Sequence, residues 1–339
     1  MLFRRSYRSA LTLLGLIVSL IAPAGLFAQS ANIDIAKQEA KVVVYAALPP
    51  EFMKAINDPF EKKYGITVEY WRASATGVLD RALNEWRVGK PAFDIIEGNK
   101  GPQMILKKEG VFSKFQPPSA INFPRQFLEA DGILTPWRFN PISIIYNTDL
   151  VKKEDLPKSF ADLLLARWKN KITMPDPSRH TTTAQFLSNL DKYDGVRWKE
   201  FAKGLAQQQP LFVESFAPIV NTVIRGEAPL GIAYLKYVAQ FKGPLDYVRL
   251  NKYLADTNYL GVSNRAPHPN AGKLYIDYIC SPEGQKAIAI AGEFVLSPNV
   301  APAIQGAAQV AQSTLFMDEP SAEEFKQLRD EMRQIFFTK

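Results

Sequence analysis

The stretch DPSRHTTTAQF (176–186) sets Arg179, His180, Thr181, Thr182 and Thr183 directly before an apolar helical run. Several chemistries could use such a row. A histidine beside hydroxyls could serve catalysis, or it could ligate a metal. A helix N-terminus carrying Arg and Thr could hold an anion, because its free N–H groups and dipole favour negative charge. The plain alternative is a capped helix, which a single Thr would explain. A second stretch, WRASATG (71–77), repeats the theme by setting Arg72, Ser74 and Thr76 between a strand and a helix start. Its plain alternative is a Ser or Thr cap beside an exposed Arg72.

Other polar residues stand where strands end. Glu97 and Asn99 follow FDII and could accept from an amine, ligate a metal or line a solvated loop. In AYLKY a strand would put Tyr234 and Lys236 on one face and Tyr237 on the other, and Lys236 would suit an anion. His268, in APHPNAG, reads as structural. Cys280 continues the apolar period of Leu274, Tyr275, Tyr278 and Ile279 and reads as core. Against catalysis, the chain has only two histidines, far apart, and lacks G-x-S-x-G, H-E-x-x-H and any Gly-rich phosphate loop. No catalytic residue, resident metal or cofactor is therefore expected. An exported hydrolase stands as the lesser alternative.

The elements that must position these residues alternate. KVVVYAAL is a continuous apolar run, as a strand covered on both faces requires. Phe52, Ile56, Phe60 and Tyr64 then recur every four residues and Gly65 closes the segment, which predicts a helix that Pro59 should kink or interrupt. ITVEYW is a second strand, and together these form a right-handed βαβ unit. A helix over ATGVLDRALNEWRVG, a strand at AFDIIEG and a helix at GPQMILKKEG extend the pattern, which argues a mostly parallel α/β sheet. Ligands of such sheets sit beyond the carboxyl ends of the strands. A proline- and aromatic-rich irregular segment follows, then the strong strand PISIIYN. A second α/β set spans about 152–251: helical SFADLLLARW, strand KITMPDP, helix GVRWKEFAKGLAQQ, strand PLFVE, helix APIVNTVIRG and strand APLGIAYL. NYLGVS reads as a strand, HPNAGKLYIDYICSPEGQKAIAIAG as two helices, and SAEEFKQLRDEMRQIF as a final amphipathic helix.

The chain has 339 residues, enough for about two domains or lobes. Its first residues read as a cleaved secretory signal over 1–28: Arg4, Arg5 and Arg8, an apolar run, then small residues before cleavage after Ala28. The formal charge of +7 falls to +4 once those three arginines are removed, with no basic block left, so nucleic acid is not an expected partner. The single cysteine leaves no internal disulfide in an exported chain.

The fragments FEKKYGITVEY, IIYNTDLV, DLLLARWKNKITMPDP, GEAPLGIAY and APHPNAGKLYIDYICSPEGQKAIA occur in the order found in family 1 extracellular solute-binding proteins. The chain resembles the branch that includes ferric-iron and organophosphorus binders of ABC importers, over essentially all of its mature length. The fragments are weakly specific singly and strong in series. The resemblance implies an α/β, two-lobed type II periplasmic binding protein fold with a ligand cleft between the lobes. Lobe one would hold 41–137 and 259–300, and lobe two 138–258 and 301–339. It also implies a monomeric periplasmic component that captures a small solute by lobe closure and delivers it to a permease in the inner membrane. With the cationic helix starts, a phosphonate, phosphate ester or carboxylate, anionic or zwitterionic, is the expected cargo. The stretch at Arg179 would then face the stretch at Arg72 across the cleft, and Arg138 and Asn140, in PWRFNP, would lie where the first crossing segment leaves lobe one. Ferric-binding relatives usually carry two adjacent tyrosines, whereas here Leu235 and Lys236 separate Tyr234 from Tyr237, and YAALPPE lacks the early histidine. If the cargo is iron, Glu97, Tyr234 and Tyr237 are the donors.

Overall fold

A computed structural model describes residues 31–193 and 196–338; the signal segment expected over 1–28 lies outside them. Among the described residues the strands are β1 (Lys41–Ala46), β2 (Thr67–Arg72), β3 (Ile95–Asn99), β4 (Thr135–Asn147), β5 (Ile172–Pro175), β6 (Leu211–Val213), β7 (Leu230–Tyr234), β8 (Leu245–Tyr247), β9 (Tyr253–Val262), β10 (Phe294–Val295) and β11 (Thr314–Phe316). The α-helices are α1 (Ile33–Glu39), α2 (Pro50–Tyr64), α3 (Ala75–Arg87), α4 (Lys100–Lys108), α5 (Thr181–Ser188), α6 (Trp198–Gln207), α7 (Phe216–Ile224), α8 (Tyr237–Gln240), α9 (Pro269–Cys280), α10 (Pro282–Ile290), α11 (Ala307–Gln312) and α12 (Ala322–Phe337).

The strand order is β2-β1-β3-β9-β4-β7-β5-β6. At one end β2, β1 and β3 are mutually parallel, and at the other β7, β5 and β6 are. The long strands β4 and β9 run antiparallel between these two groups. The first part of β4 pairs with β9 from Thr135 to Ile142, and its later part pairs with β7 from Ile142 to Tyr146. One strand thus serves both groups. Every residue of β4 and of β9 is buried. Ile142, Ile144 and Ile145 are fully enclosed, each side chain contributing about 1.5–3 kcal/mol by leaving water.

Helices cover both groups. α1 and α9 pack together near β1, α7 lies on β7 and β5, and α12 rests on α5 and α6. The βαβ units read from periodicity are present, and two expectations are corrected. Pro59 sits inside α2, which continues through it to the left-handed Gly65 cap. SFADLLLARW forms two 3-10 turns, Ala161–Leu164 and Ala166–Trp168, rather than one helix. The Asp162 carboxylate accepts from Lys158 N at 2.7 Å and Ser159 Oγ accepts from Asp162 N at 3.3 Å. Such local side-chain bonds compete with the helical ladder.

Candidate functional site

The site is built from strand alternation. Arg138 and Asn140 share one face of β4, Asp256 and Asn258 one face of β9, and Glu97 and Asn99 one face of β3, because side chains two apart point the same way. Register then sets them side by side: Arg138 lies opposite Asn258, Asn140 opposite Asp256, and Asn99 opposite Asn258. The register of β4 shifts between Pro136 and Arg138. Proline cannot donate to the ladder and is tolerated at such an irregularity, and bulges of this kind re-aim the side chains that follow.

The result is a connected polar network. Arg138 donates to Asn140 Oδ1 and Glu293 Oε2, both at 2.9 Å, and meets Glu97 Oε1 at 3.4 Å. Asn140 donates to Asn258 Oδ1 at 2.8 Å, and Asn258 donates to Glu97 Oε1 at 2.9 Å and Asn99 Oδ1 at 3.1 Å. Asp256 Oδ2 accepts from Tyr234 Oη at 2.9 Å and Asn99 Nδ2 at 3.1 Å. Lys236 closes the network with a 2.7 Å bond to Glu293 Oε1. Glu97, Arg138, Asp256 and Glu293 are all nearly sealed from solvent, while Asn99, Tyr234 and Tyr237 form a half-buried edge.

Burial sets the electrostatics. It pushes the carboxyls of Glu97 and Asp256 above their usual range, against the pull of Arg138 and the hydrogen bonds each accepts. Burial acts on Glu293 in the same direction, but Lys236 and Arg138 overcome it and hold that carboxyl low. The Tyr234 phenol is driven well up by burial and by the neighbouring Asp256 charge, so it stands as a protonated donor. The sheet-face expectation for AYLKY is corrected here. β7 ends at Tyr234, residues 235 and 236 turn, and Tyr237 opens α8. The Tyr234 and Tyr237 rings therefore lie 6.0 Å apart, and Lys236 Nζ sits 5.3 and 5.9 Å from them.

The structure brings together Glu97, Asn99, Arg138, Asn140, Tyr234, Lys236 and Tyr237, with buried Thr182 beside the Tyr234 phenol. It sets the other candidates apart. His180 caps α5: its Nδ1 accepts from Thr183 N at 3.3 Å and lies 2.8 Å from Thr183 Oγ1. Its ring packs edge-on against Phe216 at 4.9 Å, and Phe216 in turn meets Tyr234 at 4.5 Å. Burial lowers the imidazole to about 4, so it is neutral at neutral pH. Arg179 is 86% exposed, 3.8 Å from Asp176. Thr181, Arg72 and Ser74 are exposed, and Ser74 caps α3 by accepting from Gly77 N at 3.1 Å. The side chain of Thr76 lies outside the described residues. As expected, His268 is structural: its N and Nδ1 meet the sealed Asp94 carboxylate at 2.6 and 2.9 Å.

Sequence reasoning missed Asp256, Asn258 and Glu293. Asp256 lies just ahead of the strand read at NYLGVS and Asn258 is its first residue, and the two keep its period of two. Glu293 follows Gly292 in an unpatterned turn and carried no local signal. A further missed carboxyl, Glu319, accepts from Gln185 Nε2 at 2.9 Å and is pushed to about 7, chiefly by burial.

Two α/β groups joined by two crossing strands, with a sealed polar network at the crossing, define a two-lobed binding protein of the periplasmic type. The crystal structure of an ABC transporter substrate binding protein from Agrobacterium tumefaciens has this fold: TM-score 0.75, 19% identity, over 87% of this chain and 94% of that one. The family model for bacterial extracellular solute-binding proteins matches residues 90–319, and the chain belongs to that family. It is 29% identical over 133 residues to a probable ABC transporter periplasmic-binding protein of Sinorhizobium fredii, a match covering 39% of this chain but only 37% of that relative. It is 23% identical over 278 residues to a major ferric iron-binding protein of Neisseria meningitidis, covering 77% of this chain and 82% of the relative.

Proposed function

We propose that this chain is the periplasmic receptor of an ABC importer, a monomer that captures a small anionic or zwitterionic solute by closing two lobes and hands it to the permease without changing it chemically. The observation that carries the reading is the buried network of Glu97, Arg138, Asp256, Lys236 and Glu293, whose members come from both ends of the sheet and meet at the two crossing strands. Lobe one is 41–137 with 259–300, and lobe two is 138–258 with 301–339. The positions of β4 and β9 support these boundaries, since both breaks fall inside the crossing strands next to Arg138 and Asn258. Charges buried at a crossing stabilise poorly for their desolvation cost, which favours a functional reason for keeping them there. Arg72 ends β2 and Arg179 precedes α5, one from each lobe, and both residues are exposed to an acid group arriving from outside.

A thermal-shift screen of phosphonates, phosphate esters, carboxylates, sulfonates and ferric salts tests the reading, since a ligand that binds only the folded state raises the melting temperature. For an anionic hit, Arg72→Ala and Arg179→Ala should each weaken binding by more than about tenfold while melting like wild type. If both variants bind as wild type does, the acid group is held elsewhere. A ferric cargo is the second reading, favoured by the named activity of the Neisseria relative and by the proximity of Tyr234 to Tyr237. Glu97 would join them as a donor, and a phenolate-to-iron visible band on loading would establish it.

A further inference from the structure

The polar network is incomplete. Within it three carboxyls, Glu97, Asp256 and Glu293, face two cations, Arg138 and Lys236, so one acid is in excess. Both cations are committed: Lys236 to Glu293, and Arg138 to Glu293, Glu97 and Asn140. Asp256 makes no ion pair among the described residues. Its Oδ2 is satisfied by Tyr234 and Asn99, while its Oδ1 has no hydrogen-bond partner among the described residues, although the residue is only 6% exposed. A buried carboxylate oxygen left bare is costly. Arg138, Lys236 and the Asn140 amide ease its charge, but none of them bonds Oδ1. Tyr234 and Asn99 both donate to Oδ2, and the charge of Asp256 acts against that of Glu319. Asp256 is bonded directly by two members of the half-buried edge, Asn99 and Tyr234.

Resting on the receptor reading, we infer that the cargo carries a protonated primary amine, and that this ammonium docks on Asp256 Oδ1 and neutralises the excess acid of the network. An ammonium has donors to spare for one bare oxygen and supplies the missing positive charge. With the exposed arginines taking an acid group, the cargo is an amino-alkyl acid: an amine at the inner end and a carboxylate, sulfonate or phosphonate at the outer end.

The test compares matched probes by thermal shift and calorimetry on the mature chain: γ-aminobutyrate with butyrate, taurine with ethanesulfonate, and aminopropylphosphonate with propylphosphonate. In at least one pair the amino member should bind more than about tenfold tighter than its des-amino partner, and N-acetylation of that member should abolish the advantage. Asp256→Asn, which keeps the side-chain volume, should bring the two members of the pair to similar affinity. The acetylated probe decides the matter on wild-type protein should that variant not fold. A des-amino acid binding as tightly as its amino partner overturns the inference, as does an Asp256→Asn protein that keeps the full preference. If only des-amino acids bind, the amine falls and the receptor stands. If no probe binds at all, both fall.

Discussion

At the scale of single residues, Glu293 and Asp256 show what buried charge does in this protein. Glu293 serves two cations at once, and they hold its carboxyl low in spite of burial. Asp256 has no such partner and is pushed up. Residue types at strand ends made Glu97, Asn99 and Tyr234 legible as site candidates, and the resemblance added Arg138 and Asn140 at the first crossing. Glu293 and Asp256 were not legible because their roles come from cross-strand register and from the return of the chain through β10 beside β4, which no local pattern encodes. The sequence left His180 open as a catalytic residue, a metal ligand or a ligand contact, and its geometry makes it a helix cap. Its folded pKa of about 4 lies below the usual value near 6.5. The neutral form therefore contributes stability that is fully present above about pH 6.5 and lost as pH falls through about 4, on the order of 3 kcal/mol in all. Urea denaturation at pH 7 and at pH 4.5 should show wild type losing more stability between the two than His180→Gln does. Equal losses would mean that the imidazole is not buried as a neutral cap.

At the scale of elements, apolar runs and fourfold recurrence were enough to find β1, α2, β3, β5, α7, α9 and α10. Pieces whose existence depends on partners escaped. β10 and β11 are two and three residues long, too short to show a period, and exist because β4 and β9 offer free edges. The first half of β9 carries polar residues that only make sense against a buried site. The seat of α7 on β7 gives a sharp test. A Cβ built on Gly231 would stand 2.4 Å from Ile219 Cγ2 and 3.1 Å from Val223 Cγ2, both on α7. The helix can lie this close only because the strand has no side chain there. Gly231→Ala should destabilise by about 1–3 kcal/mol, as overpacked cores do, read as a lower urea midpoint at unchanged slope. A neutral result would mean that α7 shifts freely on the sheet, and with it the Tyr234 end of β7.

At the scale of the whole molecule, the two lobes were legible from the alternation of strands and helices on either side of PISIIYN, together with the resemblance of the chain to solute-binding proteins. Their junction was placed only through that resemblance, since it consists of two strands buried along their full length rather than loops with a composition of their own. In the proposed closure this crossing would carry the charged network and the moving parts would lie on either side of it. Glu319 adds a contact across the opening, accepting from Gln185 on α5 while standing against Gly101 at the start of α4, where an added Cβ would meet its Oε1 at 2.9 Å. On the proposed reading the solute is held by this network at the crossing. A crystal structure of the protein with the tightest solute from the screen is the sharpest test. Closed lobes are expected, with the polar groups of the solute within hydrogen-bonding reach of Asp256 and Tyr234. A solute bound at Arg72 and Ser74 alone, with the network undisturbed and Asp256 Oδ1 still bare, would contradict it.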